Sequence, residues 1–429
     1  MTVQARPVPN IVTELPGPRA RAHIAFDHAW TSPSLPRAYP IVPVCGEGCA
    51  VEDIDGNVFL DFAAGIAVNS TGHAHPRVSA AVAKQAAELL HFSASDFYLP
   101  IYAHAAERLA RTAPMHGPTR VLFGNSGAEA VEAGVKLARY HTRRPNIVAF
   151  LGAFHGRTMG ALSLTASKAK YHAHFGPLLP GVYHVPFGSA GLDELEQRVF
   201  RRLMPADEFT AVIVEPIQGE GGYLVPDAAF FPRLREICDR HGILLIVDEI
   251  QSGAGRTGKM WAIEHFGVEP DILLTAKGIA SGMPIGAMIA KAEIMSWGPG
   301  AHGSTFGGNP VALAALMETV ALLEEGLIEN AGERGDQALQ GLRPLVERHP
   351  EMVCDVRGKG LMIGVQLASG EMAHAVQAEA FQRGLLILEA GDDCVRMSPP
   401  LVVTAEEMAT GIRIFSESVA AVAGRAGLA

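Results

Sequence analysis

The sequence predicts an α/β protein: a mainly parallel sheet sandwiched by helices, followed by a smaller α+β lobe. Three observations carry this reading. Short apolar runs recur between helical stretches from about Pro76 to Leu323, at residues 120–123, 147–150, 211–214, 243–247, 272–275 and 287–290. Several are β-branched and most lack in/out alternation, the pattern of strands buried on both faces. Beyond a helical segment near residues 327–349 the pattern changes to mixed strand and helix, which reads as a second unit. The expected division is an N-terminal segment 1–65 contributing to the small lobe, a large domain 66–325, and a C-terminal small domain 326–429.

Taken in order, the chain to about Pro40 is proline-rich and reads as irregular. Residues 49–62 read as two strands joined at the Asp55-Gly56 turn signal. The segment Asn125-Ser126-Gly127-Ala128-Glu129 opens an apolar-periodic helix over residues 130–140. Ser126 and Glu129 fit a capping box; equally, bare amides among small residues suit a phosphate. The segment Gly253 to Lys259 matches G-x-G-x-x-G and nearly matches the NTP-binding loop. Met260 stands where a magnesium-binding Ser or Thr belongs, and Asp248 and Glu249 would repel phosphates, so neither nucleotide reading holds.

Composition bounds the function. With 429 residues, 48% hydrophobic and 19% charged, the chain can bury a large core. A formal net charge of −10 argues against a nucleic-acid face. Cys45, Cys49, Cys238, Cys354 and Cys394 are odd in number and scattered, which fits a reducing compartment. Cys45 with Cys49, and His73 with His75, lack a matching second pair, so no metal site is expected. Residues 1–21 contain prolines and no apolar run, against a secretory signal; Arg6, Arg19 and Arg21 raise a transit peptide, which the prolines argue against. No stretch is long enough to span a bilayer. A soluble, cytoplasmic protein is expected.

The residues at the ends of the apolar runs point to a site. Residues 212–214 end in Glu215, 244–247 in Asp248-Glu249, and 272–276 in Lys277. Parallel strands present all their carboxyl ends on one edge, where ligands bind. Strand ends also meet solvent and are often charged for that reason alone. Three in one sheet favour a site.

These residues resemble a known family, the class III (ω-amino-acid) aminotransferases that use pyridoxal 5′-phosphate (PLP) on fold type I. The resemblance rests on Asn125-Ser126-Gly127-Ala128-Glu129, Phe154-His155-Gly156-Arg157, Glu215-Pro216-Ile217-Gln218-Gly219-Glu220, Asp248-Glu249-Ile250-Gln251, Thr275-Ala276-Lys277-Gly278, Gly303-Ser304-Thr305 and Val395-Arg396-Met397. It implies a seven-stranded-type sheet and a homodimer or dimer of dimers. Lys277, one of only eight lysines, would bond the cofactor and shuttle a proton. Asp248 would pair with the pyridine nitrogen, Ile250 would pack on the ring, and Gln251 would meet its hydroxyl oxygen. Phe154 and His155 would form an aromatic pair over the ring. Ser126, Gly127 and Ala128 would hold the phosphate, joined by Thr305 from the partner subunit.

For substrates, the resemblance assigns Arg157 to a distal carboxylate and Arg396 to the α-carboxylate of glutamate or 2-oxoglutarate. Glu220 would pair with Arg396 when an ω-amine binds and swing away otherwise. Glu215 would sit in the same pocket, or stand as a buried structural acid. Ile66 falls where ornithine-type enzymes often carry tyrosine, which favours the smaller 4-aminobutyrate. Within the family the chain is most similar to 4-aminobutyrate aminotransferases. The expected reaction is transfer of an ω-amino group, 4-aminobutyrate first, to 2-oxoglutarate by ping-pong chemistry. Acetylornithine, ornithine or lysine transamination and amino-acid racemisation stand as alternatives.

Overall fold

The computed structural model describes residues 6–427; the first five residues of the N-terminal segment, and of the segment weighed as a signal or transit peptide, lie outside the described residues. Its centre is a seven-stranded sheet. In spatial order the strands are Thr119–Gly124, Gly286–Lys291, Ile272–Ala276, Leu244–Asp248, Phe209–Val214, Asn146–Phe150 and Val182–Val185. Gly286–Lys291 is antiparallel to both its neighbours, and the remaining pairings are parallel. Phe209–Val214, Asn146–Phe150 and Ile272–Ala276 are buried at every position. Their uninterrupted apolar character therefore comes from burial on both faces.

All six apolar runs of the sequence form strands of this sheet. The seventh strand, Val182–Val185, has no such run behind it: it is a four-residue edge strand, buried only at Val185. Such a strand is short and carries a histidine and a tyrosine, so it gives little periodic signal.

Helix Gly127–Thr142 lies against the sheet and buries Ala130, Val131, Ala133, Gly134, Val135, Leu137 and Ala138. Small residues on this face let it approach closely; a Cβ on Gly134 would come 3.0 Å from Leu274 Cδ2. That approach fixes the position of the helix N-terminus over the carboxyl end of the sheet.

Two smaller sheets complete the protein. Pro43–Glu47, Ala50–Asp53 and Val58–Asp61 form an antiparallel meander, with the turn at Gly56 in the left-handed region, φ 88°. The meander takes a fourth, parallel strand, Leu385–Leu386, from the C-terminal part of the chain. Val353–Lys359, Met362–Leu367, Cys394–Met397 and Leu388–Ala390 form a separate antiparallel sheet, packed by helices Ile328–Leu342 and Gly370–Gln382, which helix Ala405–Arg425 packs against in turn. The irregular N-terminus expected from the prolines instead contains helix Pro18–Trp30, with proline at its start. Only Ala20 is buried along it, so no apolar stripe marks it in the sequence.

Two glycines in helix Ile328–Leu342 give opposite expectations. Alanine in an exposed helix interior is favoured over glycine by about 1 kcal/mol. A Cβ on Gly332 meets only Gly258 Cα, at 3.9 Å, whereas one on Gly335 runs into the backbone of Gly360. Gly332→Ala should raise the thermal midpoint. Gly335→Ala should lower it, because overpacking costs about 1–3 kcal/mol. Calorimetry of both variants against the parent checks the sign of each.

Candidate active site

The carboxyl ends of the parallel strands open on a cavity of about 370 Å³. Lys277, Asp248 and Glu215 enter its wall from three successive strands of the sheet. Ser126, Gly127 and Ala128 enter from the helix start, and Phe154, His155 and Arg157 from the segment after Asn146–Phe150. Ile250 and Gln251 complete the floor.

Lys277 follows the fully buried strand Ile272–Ala276 and takes a left-handed backbone conformation, φ 47°. Such a conformation is costly for a residue with a Cβ and collects at functional sites. Burial, then the charge of Arg396, pushes its amine down to about 8, against the pull of Glu220, Glu215 and Asp248. An amine held there is partly neutral near physiological pH and therefore nucleophilic.

Asp248 ends its strand with both carboxylate oxygens engaged. Oδ1 accepts from the Ile250 N–H at 3.0 Å, and Oδ2 stands 2.7 Å from His155 Nδ1. Burial disfavours a charged His155, but the hydrogen bond and charge of Asp248, with Glu215 further off, outweigh it and raise its pKa. The two form a buried hydrogen-bonded pair. His155 thus differs from the expected aromatic pair over a ring: its imidazole is committed to Asp248, because a buried carboxylate needs a partner more than a ring face does. Phe154 stays in the wall, edge-on to Tyr171 at 5.8 Å.

Glu215 accepts from the Phe154 N–H and the Gly219 N–H, each at 3.0 Å. Burial pushes its carboxyl up to about 7, with His155 opposing and Asp248 adding to the rise. Glu249, its neighbour in the sequence pattern, faces elsewhere; it binds Ser252 Oγ at 2.6 Å and the Ile263 N–H at 2.7 Å, and is structural.

At the helix start, Ser126 Oγ accepts from the Glu129 N–H at 3.2 Å, while Glu129 reaches back to the Asn125 N–H at 2.6 Å. Ser126 therefore caps the helix, but Glu129 bonds the Asn125 N–H and not that of Ser126, so the expected capping box is only half formed; Gly127 and Ala128 line the cavity. A Cβ on Gly127 would press to 2.9 Å from Ile250 Cδ1, so glycine there lets the helix end and the floor meet. These residues fit the PLP expected from the sequence. A half-buried lysine with a lowered amine, a helix N-terminus for a phosphate, and a carboxylate with a histidine behind it share one cavity. Gln251 Oε1 and His155 Nε2 are buried without hydrogen-bond partners among the described residues.

Beside the cavity, Arg396 Nη1 stands 2.6 Å from Glu220 Oε1. Burial alone would raise the carboxyl of Glu220; Arg396 reverses this and holds it below its ordinary value. Arg157 lies across the mouth with its guanidinium 4.4 Å from the Tyr171 ring and 5.7 Å from that of Phe154.

Two expected residues stand apart from this wall. Ile66 is 46% exposed in a left-handed turn, φ 68°; Val68 lines the cavity instead. Thr305 is exposed and does not line this chain's own cavity. Tyr171, Val68 and Met283 also shape the site, and no spacing in the sequence announced them. His73 Nε2 is spent on Asp61 Oδ2 at 2.8 Å, and no cluster of three metal-ligating side chains occurs among the described residues. The glycines of 253–258 open no long helix; they turn the chain around the buried Arg256.

The lowered Lys277 amine gives a pH expectation. Only the neutral amine attacks an aldehyde, so attachment to the cofactor-free protein should speed about tenfold per pH unit up to about 8 and level off above it. Lys277→Arg should abolish the attachment. Borohydride trapping and peptide mapping across pH check both.

Comparison with known proteins agrees with this geometry. Residues 34–419 match the family model described as Aminotransferase class-III. An acetylornithine aminotransferase from Gloeobacter violaceus is 44% identical over 376 residues, 86% of this chain and 90% of that one. An alanine/serine racemase from Pyrococcus horikoshii is 38% identical over 440 residues, 96% of this chain and 92% of that one. The crystal structure of ornithine aminotransferase from Toxoplasma gondii superposes with a TM-score of 0.88 at 33% identity, covering 96% of this chain and 97% of that one. A second structure of that enzyme carries PLP at partial occupancy in its active site. With Lys277, Asp248 and the start of helix Gly127–Thr142 gathered at the strand ends, and with the family model matching nine-tenths of its length, this chain belongs to the class III aminotransferases, whose cofactor is pyridoxal 5′-phosphate.

Proposed function

We propose that the protein transfers the terminal amino group of an ornithine-type substrate, acetylornithine first, to 2-oxoglutarate. The observation that carries this is the division of cations between Arg157 and Arg396. Arg157 meets aromatic rings rather than a carboxylate, and Arg396 is paired with Glu220. An ω-amine carries its carboxylate far from the reacting carbon, which suits Arg157, and leaves Arg396 in need of Glu220. Glutamate brings a second carboxylate, which would displace Glu220. The names of the relatives support acetylornithine and ornithine over the 4-aminobutyrate first expected. The argument from Ile66 for a small donor also weakens, since its side chain stands outside the cavity wall.

Ser126, Gly127, Ala128, Asp248, Ile250, Gln251 and Lys277 would hold the cofactor. Bound there, PLP supplies an aldehyde for the amino group and a ring that accepts the electrons released at the reacting carbon. Lys277, with its lowered amine, would shuttle a proton between the substrate's reacting carbon and the cofactor's aldehyde carbon. Asp248, held in place by His155, would pair with the ring nitrogen and keep a proton on it. Glu215 fixes the Phe154 and Gly219 backbones, and so the wall between the two arginines.

The resemblance to a racemase over nearly the whole chain favours a second reading, racemisation of a small amino acid. It needs a proton returned to either face and makes no use of Arg157 with Glu220. A homodimer in which Thr305 reaches the partner's phosphate site agrees with its exposure and with the apolar surface near it: Leu89, Leu90, Phe92, Phe97, Tyr98 and Phe306. The division 1–65, 66–325 and 326–429 is proposed with it, supported by the strand that residues 385–386 add to the N-terminal meander.

A half-reaction screen tests the function. Acetylornithine and glutamate should each convert the cofactor's visible absorbance. Rapid racemisation of alanine or serine with no such conversion would overturn the proposal. Glu220→Ser should slow acetylornithine at least tenfold more than glutamate, since an unpaired buried cation costs several kcal/mol; single-turnover kcat/KM for both donors measures this. Asp248→Asn should keep the cofactor while lowering kcat by orders of magnitude; steady-state kinetics on the loaded variant checks it.

A further inference from the structure

Arg396 is buried and must exchange one carboxylate for another. Its Nε finds no acceptor among the described residues, and its one acidic partner, Glu220, is the group that has to leave. Something else must keep the guanidinium in place while its N–H groups change partners. A hydrogen-bond acceptor would compete for those groups; the face of an aromatic ring would not.

The ring is there. The Tyr223 centroid lies 5.9 Å from Arg396 Cζ. Tyr223 is 1% exposed and packs with Ile217, Met362 and Val225. Its backbone is left-handed, φ 54°, a conformation that a bulky residue keeps only when its surroundings impose it. They do: Gly222 O accepts from Arg357 Nε at 3.0 Å and Nη2 at 2.8 Å. Glu220 O accepts from the Gly391 N–H at 2.8 Å, and Gln218 and Leu224 close the loop by mutual backbone bonds. Opposite, a Cβ on Gly364 would press to 3.1 Å from Tyr223 Cβ. The loop that carries Glu220 is thus pinned along its backbone, which leaves the Glu220 side chain as its movable part.

We infer that Tyr223 is a positioning residue that holds Arg396 by its ring face while Glu220 and a substrate α-carboxylate exchange, and so sets affinity for α-carboxylate substrates. This rests on the roles proposed above for Arg396 and Glu220. The ring offers attraction without occupying an N–H, so the cation stays aimed whichever carboxylate it meets.

The test uses the holoenzyme and glutarate, a dicarboxylate that cannot react, with binding read by calorimetry. Tyr223→Phe keeps the ring and should bind glutarate within about twofold of the parent. Tyr223→Leu should bind it on the order of tenfold more weakly. KM for glutamate should rise in parallel, while KM for acetylornithine stays within about twofold. Site-specific di- and pentafluorophenylalanine at 223 preserve shape while draining the ring face, and should weaken glutarate progressively. That series decides the matter if the leucine variant fails to fold. Flat binding across the series, or equal losses with both donors, overturns the inference. Arg396→Lys separates the two layers. If it leaves glutarate binding unchanged, the role of Arg396 fails and Tyr223 with it. If it weakens glutarate while the fluorinated series is flat, Tyr223 alone fails.

Discussion

Lys277, Asp248, His155 and Glu215 line one cavity, and none of them tolerates removal from water alone. A buried charge survives by pairing, by hydrogen bonding or by surrendering its charge, and each solution is present. Asp248 and His155 pair at 2.7 Å. Glu215 accepts two backbone N–H groups and is still pushed toward neutrality. Lys277 loses part of its basicity. The cavity therefore comes with a poised amine and a committed carboxylate, set by the sheet geometry that forces them together.

That geometry follows from the central strands. Parallel strands buried on both faces can carry no charge along their length, so charge accumulates where they end. Helix Gly127–Thr142 brings its N-terminus to the same edge because its small residues allow close packing on Ile272–Ala276. The helix N-terminus, the amine and the acid thus meet as consequences of one packing arrangement.

A second charge system stands beside the first. Glu220 comes from the loop after strand Phe209–Val214 of the central sheet and Arg396 from the separate antiparallel sheet, and they meet across the boundary between the two. Their mutual pairing offsets burial on both sides, and Tyr223 lies under the guanidinium. This pair shares no residue with the Asp248–His155 pair, so a change at one need not disturb the other.

The sequence by itself determined the sheet and the candidate site's chemical inventory. Apolar runs ending in Glu215, Asp248 and Lys277 are local facts, since burial and strand length impose them residue by residue, and the motifs around them carried the family. Helix Pro18–Trp30 and strand Val182–Val185 were not legible, because neither buries a continuous stripe that periodicity can reveal. Only the tertiary structure decided which side chains meet. It gave His155 to Asp248, put Val68 in the wall where Ile66 was expected, turned Glu249 away, and set Tyr223 beneath Arg396. Those outcomes depend on distances between segments tens to hundreds of residues apart, and pairing and desolvation act through space, where sequence spacing carries no information.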